Sequence, residues 1–303
     1  MQVKKTWKQV DGVLLLDKPL GMTSNDALQK ARRLFSAAKG GHTGTLDPLA
    51  SGLLPVCLGE ATKLSGFLLD ADKRYRAVIR LGVTTTTGDA DGEPLVVSPT
   101  ADIDRARVEA ALARFTGEIV QVPPMHSALK QNGVPLYKLA HQGIAVERQP
   151  RRVVIHALAT VDFAADRLEI DVHCSKGTYI RVLAEDIGAA LGCGAHVSAL
   201  RRTGVGGFDG QRMITLDVLR ELAAAGPEAL DARLVSMEDA LTGWPDVRLA
   251  PEVAFFLRRG QAVFVPHAPA HGLVRIYTRE DRFLGIGHIL EDGRVAPKRL
   301  VNG

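Results

Sequence analysis

The sequence predicts a mixed α/β protein of the α+β kind with a small β-rich domain at its C-terminal end. Through about residue 244, short apolar strands alternate irregularly with amphipathic helices. From residue 245 onward, short strands and turns replace them. The change follows residues 242–245 (Thr-Gly-Trp-Pro), which have the composition of a linker. We therefore expect one domain over residues 1–244 and a smaller one over residues 245–303.

The chain opens with a strand and a helix. Residues 13–16 (Val-Leu-Leu-Leu) form a buried apolar run that ends before Pro19. Ser24 is expected to cap the helix that follows, with Asp26 in its first turn, where the helix dipole favours a carboxylate. Apolar residues then recur at helical spacing through residue 35. A glycine-rich stretch follows, and a strand is predicted over residues 53–58.

The clearest strand covers residues 73–83. Tyr75 lies on one face of it with three apolar residues, whereas arginines occupy the other face, so Tyr75 points toward the core or a cleft. The later pattern predicts elements in the following order: a helix over 103–115, strands over 153–163 and 168–174, a helix over 178–191 and a strand over 196–203.

A long segment over residues 124–152 interrupts the predicted sheet. Segments of this length without regular structure are usually functional or mobile. Arg148, Arg151 and Arg152 lie at its exit, and this charge favours contact with RNA phosphates. The net charge of +4 is only a mild indication of a polyanionic partner. Further basic clusters support the same view, and these include Lys4, Lys5, Lys8, Lys30, Arg32, Arg33, Lys39, Arg201 and Arg202.

Composition limits the class of protein. Hydrophobic residues make up 46% of the 303 residues and charged residues 24%, as in ordinary globular proteins. No apolar run reaches the length of about 18 residues that a spanning helix needs, and no secretory leader is recognised, so a cytoplasmic location is expected. Cys57, Cys174 and Cys193 are widely spaced, which predicts reduced, apolar core residues and no zinc motif.

The glycine-rich stretch over residues 40–52 holds four glycines and one carboxylate, Asp47. Glycine permits unusual backbone angles and close approach of a ligand. Pro48 fixes its own φ and pushes Asp47 toward an extended conformation. Such a loop is suited to holding one acid in a fixed position. From composition alone, a turn whose aspartate only caps local amides is the favoured interpretation.

Other reaction classes find little support. The chain lacks a P-loop, a complete dinucleotide-binding glycine pattern, the metalloprotease and zinc-deaminase patterns, and a nucleophile elbow. Residues 89–92 resemble the start of a calcium loop but lack its remaining ligands. A nucleophilic carboxylate needs only a fixed position and charge, and an arginine can supply both. Arg181, at the start of a predicted helix, is one candidate, although pattern alone favours an exposed helix arginine.

Four motifs in chain order resemble those of one family. Residues 41–48 (Gly-His-Thr-Gly-Thr-Leu-Asp-Pro), with Ala50 and Gly52, resemble the signature of the bacterial tRNA pseudouridine-55 synthases, the TruB family. Residues 17–24 resemble the family's K-P-x-G-x-T-S element, and residues 73–75 (Lys-Arg-Tyr) resemble its tyrosine strand. Residues 177–181 (Gly-Thr-Tyr-Ile-Arg) and 196–202 resemble its later motifs. The resemblance covers about residues 10–240.

The resemblance implies a pseudouridine synthase fold, in which helices flank a mixed, largely antiparallel sheet. It also implies a substrate, the uridine in the T loop of tRNA, and a reaction that breaks the N-glycosidic bond and rejoins the base through carbon. Asp47 would be the nucleophile, attacking either the base or the sugar, and Arg181 would pair with it. Tyr75 would stack on the flipped base and help to move a proton.

The same resemblance assigns further roles. His42 would occupy the space vacated by the flipped nucleotide, although it could equally be a loop residue that only satisfies backbone groups. Tyr179 and Leu200 would line the base pocket, and core filling is the alternative for both. Residues 124–152 resemble the family's thumb, and residues 245–303 resemble an RNA-binding PUA domain. No metal or organic cofactor is implied.

The expected partner is the T arm of tRNA, with no membrane, no obligatory protein partner and a monomeric chain. Two alternatives remain, a non-catalytic tRNA-binding folding factor and a guide-dependent rRNA pseudouridine synthase. The short basic N-terminus and the end at Gly303 favour a stand-alone enzyme over the second.

Overall fold

The structure, a computed structural model, describes residues 6–302; Lys4 and Lys5 of the basic N-terminal cluster and Gly303 lie outside these residues. In chain order its strands are β1 (Gly12–Lys18), β2 (Gly40–His42), β3 (Ala50–Leu58), β4 (Lys73–Leu81), β5 (Val83–Thr85), β6 (Pro94–Val97), β7 (Gly117–Gln121), β8 (Lys130–Gln131), β9 (Val134–Pro135), β10 (Arg151–Ala164), β11 (Arg167–Cys174), β12 (Ala195–Val205), β13 (Phe208–Asp209), β14 (Ile214–Thr215), β15 (Leu234–Val235), β16 (Asp246–Leu249), β17 (Leu273–Thr278), β18 (Phe283–Ile289) and β19 (Val295–Leu300).

Eight α-helices accompany these strands in the described part of the chain, together with three short 3-10 helices over residues 59–64, 210–212 and 239–241. The α-helices are α1 (Ser24–Leu34), α2 (Ser65–Leu69), α3 (Arg105–Ala113), α4 (Leu136–His141), α5 (Ile180–Leu191), α6 (Leu216–Ala225), α7 (Pro227–Asp231) and α8 (Pro251–Arg258). Within residues 6–302, no helix has both the length and the apolar character that crossing a bilayer requires.

A large sheet organises most of the chain. Its main path runs β14-β1-β3-β12-β4-β11-β10-β7, and β2, β13 and β15 pair with strands of that path. Among the described strands of this sheet, β1 with β14 and β3 with β12 are parallel pairs, and the other pairs are antiparallel. The prediction of a mixed, largely antiparallel sheet flanked by helices is therefore confirmed.

Strand β4 shows why the sheet folds as predicted. Ala77, Ile79 and Leu81 are buried on one face, whereas Arg76 and Arg80 are exposed on the other. The buried face packs with the apolar face of β11 against α3 and α5 in one hydrophobic cluster. The alternation of apolar and charged residues in β4 thus matches a sheet that helices cover on one face only. Tyr75 lies on the covered face of β4, beside this cluster.

The predicted cap of α1 is wrong by one residue. Thr23, rather than Ser24, is the cap: its backbone is extended, and its hydroxyl accepts a hydrogen bond from the Asp26 amide at 3.1 Å. Ser24 already lies inside the helix and is buried. Both residues have good capping side chains, so the sequence alone does not separate them. Consequently the hydroxyl of Ser24 is available for another partner, which is described below.

Two further elements differ from the predicted bounds. Strand β3 starts at Ala50 instead of residue 53, because Ala50, Ser51 and Gly52 pair in parallel with β12. Sheet pairing therefore extends order into the glycine-rich stretch. The region after residue 245 also contains α8, which the strand rhythm did not predict. Its apolar residues pack on β16–β19 in a cluster of their own.

The four-stranded sheet β16-β17-β18-β19 is joined to the larger part by specific contacts. Lys63 Nζ donates to the Leu300 carbonyl at 2.9 Å, and the Asn302 amide donates to Glu60 Oε2 at 2.8 Å. The rings of Phe67 and Trp244 meet edge to face with centroids 5.5 Å apart. Strands β16–β19 agree with the short strands that were predicted after residue 245.

Candidate active site

The segment between β2 and β3 is held on both sides of Asp47. The hydroxyl of Ser24 donates to the Leu46 carbonyl at 3.0 Å and accepts from the Leu46 amide at 2.8 Å. The Gly21 amide donates to the Pro48 carbonyl at 2.9 Å, and the Ala50 amide donates to the Asp47 carbonyl at 3.0 Å. Residues of the K-P-x-G-x-T-S element thus fix the loop that carries the acid.

The structure requires glycine at the end of this segment. Gly52 has φ +98°, and a β-carbon there would lie 2.3 Å from the Arg202 carbonyl oxygen. A side chain at residue 52 would therefore separate β3 from β12. The parallel pairing of these two strands brings Leu200 and Arg202 beside the loop.

Arg181 lies at the N-terminal end of α5 and is 6% exposed. Its Nε is 3.0 Å from Asp47 Oδ2 and 3.6 Å from Asp89 Oδ2. The guanidinium also donates to the Thr87 carbonyl at 3.0 Å and to the His126 carbonyl at 2.7 Å. The fold therefore brings Asp47 and Arg181 together, and Arg181 is not the exposed helix arginine that pattern alone favoured.

Sequence reasoning missed Asp89, the second carboxylate at this arginine. Asp89 is 7% exposed, its Oδ1 accepts from the Thr87 hydroxyl at 2.5 Å, and the Asp91 amide donates to it at 3.2 Å. The sequence places it in a turn-rich stretch that resembles a calcium loop, and nothing there indicates an arginine partner. Since residues 89 and 181 are far apart in the chain, only the folded sheet reveals the contact.

The electrostatic setting of Asp47 combines opposing effects. Burial raises the pKa of its carboxyl, the Arg181 charge lowers it, and the like charge of Asp89 raises it again. The side chain nevertheless keeps 37% of its surface exposed. The pKa of Asp47 is raised overall, and the Arg181 charge opposes that shift; a partly desolvated carboxylate fixed by an arginine suits a nucleophile.

A buried arginine, Arg202, lies next to Tyr75 on the neighbouring strand β12. Arg202 is 1% exposed, and it donates from Nε to the Leu53 carbonyl at 2.7 Å and from Nη2 to the Gly44 carbonyl at 3.1 Å. Arg202 lies opposite Tyr75 in the register of β12 and β4. Burial raises the pKa of Tyr75 although Arg202 opposes the shift, so the phenol stays protonated at neutral pH.

Lys18 stabilises the turn that contacts the Asp47 loop. Its side chain is fully buried, and its ammonium donates to the carbonyls of Pro19 at 2.9 Å and Met22 at 2.6 Å. Burial lowers its pKa to about 8, whereas the charge of Asp47 raises it. These bonds shape the turn whose Gly21 amide reaches the Asp47 segment.

A cavity of about 670 Å³ opens above Asp47. Tyr75, Tyr179, Leu200 and Arg181 line it together with Asp47. Tyr179 is fixed through its backbone, which donates to Gln121 Oε1 at 3.0 Å and accepts from Gln121 Nε2 at 3.2 Å. The cavity is large enough to admit a nucleotide, and its wall combines aromatic and apolar side chains with several charged ones.

His42 is the one candidate residue outside the lining of this cavity. It ends β2, and its buried Nδ1 has no hydrogen-bond partner. Burial lowers the pKa of its imidazole, and the nearby Arg202 charge lowers it further, so the ring is neutral at neutral pH.

The exit of the 124–152 segment reaches the same cavity. Arg151 and Arg152 lie in its wall at the start of β10. Arg152 also pairs with Glu118 at 2.6 Å on the surface. Arg148 has a different setting, because its Nη1 donates to the Pro123 carbonyl at 3.2 Å and joins the two ends of the segment. The segment itself contains β8, β9 and α4.

Family models match almost the whole chain. Residues 32–180 match the model of the TruB family pseudouridylate synthase N-terminal domain. Residues 181–242 match that of the tRNA pseudouridylate synthase B C-terminal domain. Residues 245–301 match that described as pseudouridine synthase II TruB, C-terminal. Together the three matches include the residues of the site that lie after residue 31.

Curated relatives and solved structures agree with these matches. A protein of Dechloromonas aromatica named tRNA pseudouridine synthase B is 58% identical over 303 residues, covering 99% of each chain. One of the same name from Nitrosococcus oceani is 55% identical, covering 97% of this chain and 96% of the relative.

Among solved structures, the archaeal box H/ACA sRNP Nop10-Cbf5 complex contains a chain with a TM-score of 0.73 and 25% identity, covering 97% of this chain and 86% of that one. An H/ACA RNP bound to a substrate RNA containing 2′-deoxyuridine gives a TM-score of 0.74 at 26% identity, covering 96% and 85%. On the family models and the close relatives, the chain belongs to the TruB family of pseudouridylate synthases.

Proposed function

We propose that this chain converts one uridine in the T loop of tRNA into pseudouridine, with Asp47 as the nucleophile. The observation that carries the proposal is the Asp47–Arg181 ion pair, 3.0 Å long, at the wall of a cavity large enough to admit a nucleotide. Relatives that share more than half of its residues are named tRNA pseudouridine synthases, which supports tRNA as the substrate.

The reaction is an isomerisation whose atoms balance within the substrate. The Asp47 carboxylate adds to the uridine, the bond between N1 of the base and C1′ of the ribose breaks, and the base rotates. A bond then forms between C5 and C1′, the proton leaves C5, N1 is protonated, and Asp47 is released. Because no oxidation state changes and no group is lost, the proposed reaction needs no redox cofactor or co-substrate.

The side chains around Asp47 suit these steps. Arg181 favours the ionised carboxylate and fixes its direction before attack. The ring of Tyr75 offers a stacking surface for an extruded base, and its protonated phenol can donate or relay a proton. Tyr179 and Leu200 contribute to the apolar wall. His42, neutral and next to the loop, is proposed to fill the space that the flipped nucleotide leaves.

We propose that RNA lies across the basic exit of the 124–152 thumb segment. Arg151 and Arg152 then contact phosphates, because they line the mouth of the cavity from an exposed strand start. Residues 1–244 act as the catalytic domain, and residues 245–303 act as a PUA-like RNA-binding domain. The independent core of the second supports this boundary.

The proposed enzyme acts alone, as a monomer in the cytoplasm. All three cysteines are buried and free, which agrees with a reducing compartment. The chain is 58% identical to a relative named tRNA pseudouridine synthase B and about a quarter identical to the H/ACA chains, which supports action on tRNA without a guide RNA over the guide-dependent alternative.

The test is incubation of the purified chain with an unmodified tRNA transcript, followed by chemical mapping of pseudouridine. The proposal predicts one modified uridine, in the T loop, without added protein, guide RNA or cofactor. Modification elsewhere would overturn the assigned site, and modification only with a guide RNA would favour the second alternative. Binding without any modification would favour a folding factor.

A further inference from the structure

A cluster of two histidines and one aspartate lies on the face of the large sheet away from the cavity. His156 of β10 and His173 of β11 meet with ring centroids 4.8 Å apart, and Asp72 lies immediately before β4. Their ligand atoms all lie within 4.8 Å of one another. Among the side chains that the structure describes, which exclude that of His141, no other group of three such residues comes this close.

The two imidazoles converge on one carboxylate oxygen. His156 Nε2 is 3.2 Å from Asp72 Oδ2, and His173 Nε2 is 4.0 Å from the same atom. The shorter distance can be a hydrogen bond, but the longer one cannot. Hydrogen bonding therefore accounts for one histidine and leaves the approach of the second unexplained.

The backbone sets this convergence. Ile155 pairs with Cys174 and Ala157 pairs with His173, so His156 is the extra residue of a β-bulge. A bulge redirects its side chain, here toward the neighbouring strand. His173 points away from the core, because its neighbours Val172 and Cys174 are buried on the opposite face. The three groups are thus supplied by rigid strands and the segment that enters β4.

We propose that Asp72, His156 and His173 form a binding site for a divalent transition-metal ion of the zinc class. Two imidazole nitrogens and one carboxylate oxygen are ligands that zinc accepts, whereas calcium and magnesium prefer oxygen alone. Zinc bonds of about 2.0–2.1 Å put tetrahedral ligands about 3.3 Å apart, so the side-chain tips must close by about 1.5 Å at most. The exposed side of His156 leaves room for water as a fourth ligand.

The charges and the position of the cluster limit the role that a bound ion can have. Arg74 pairs with His173 across β4 and β11, and its positive charge opposes a bound cation. Asp72 supplies the compensating negative charge. The site lies on the opposite side of β4 from Tyr75, so the bound ion has no access to the cavity. We therefore assign it a structural role, in which it joins β10, β11 and the start of β4.

The test uses untagged, chelator-treated full-length protein and zinc alone as the probe. Equilibrium dialysis should give one zinc per chain, and zinc should raise the melting temperature by a few degrees. His173→Ala and His156→Ala should each weaken binding about tenfold or more and remove the thermal shift. Cobalt in place of zinc should give visible absorption that both variants lose. His271→Ala, an exposed histidine outside the cluster, is the matched control.

The outcomes separate clearly. One equivalent of zinc in the native and His271→Ala proteins, with loss in both cluster variants, supports the site. No binding to the native protein, or equal binding to His173→Ala, overturns it. Circular dichroism of each variant checks the fold, and pseudouridine formation without zinc should be unchanged in all of them. The result is independent of the function proposed above.

Discussion

Replacing Arg181 by methionine is the perturbation whose consequences the structure defines most fully. Methionine keeps much of the buried volume but removes the charge and its donors. Asp47 loses its partner at 3.0 Å, and Asp89, 7% exposed, loses its partner at 3.6 Å. The carbonyls of Thr87 and His126 lose their donors as well.

The stability cost follows from the buried charge of Asp89. Removing one partner of a buried ion pair costs about 3–5 kcal/mol, since the other charge stays desolvated. At roughly 2–4 °C per kcal/mol for a large domain, Arg181→Met should melt about 6–20 °C lower than the native protein. Asp89→Asn is the matched control, because it leaves the guanidinium paired with Asp47 and should cost less.

The same pair of variants makes an opposite prediction about pH. Arg181 lowers the pKa of Asp47, and Asp89 raises it. In Arg181→Met, Asp47 therefore takes up its proton at a higher pH, and the acid limb of activity moves upward. In Asp89→Asn it moves downward.

The acid limbs are measured as the pH dependence of the single-turnover rate of pseudouridine formation on T-arm RNA, at a temperature below the melting temperature of each protein. A native melting temperature in Arg181→Met, or acid limbs that coincide in the three proteins, would refute this electrostatic reasoning.

Three further predictions concern the loop, the tyrosine and the thumb. Gly52→Ala should cost about 2 kcal/mol or more in unfolding free energy, because a β-carbon meets the Arg202 carbonyl at positive φ; an unchanged denaturation midpoint contradicts this. Tyr75→Phe should keep the affinity for RNA but lower the single-turnover rate, whereas Tyr75→Leu should lower both; equal rates in Phe and native proteins exclude a role for the hydroxyl. Arg151→Ala and Arg152→Ala should each weaken RNA binding and reduce its salt slope by about one, and an unchanged slope removes them from the phosphate path.

Sequence pattern predicted the parts of the fold that obey one local rule. The alternation in β4 determined which face carries Tyr75, and the helical spacing located α1 and α5. Capping was harder, because Thr23 and Ser24 are both good caps and only the contact of Ser24 with Leu46 distinguishes them. Helix α8 was missed because its eight residues are short against the surrounding strand rhythm.

Sequence motifs predicted some residues of the candidate site. Other residues could not be predicted, because only the fold brings them to the site. Asp47 and Arg181 follow from the resemblance, although pattern alone favoured other interpretations of both. Asp89 and the pairing of Arg202 with Tyr75 depend on strand order, which brings distant residues together. His42 could be identified from its motif, but its position outside the cavity lining could not.

The most direct test of the central claim is pseudouridine formation by Asp47→Asn on T-arm RNA. Because burial raises the pKa of Asp47, its negative charge does not stabilise the folded protein at neutral pH. The neutral amide of Asp47→Asn should therefore leave the melting temperature unchanged or raise it. We expect RNA binding close to that of the native protein and a rate at least about ten-thousandfold lower. A folded Asp47→Asn protein that forms pseudouridine at a rate near the native one would contradict it.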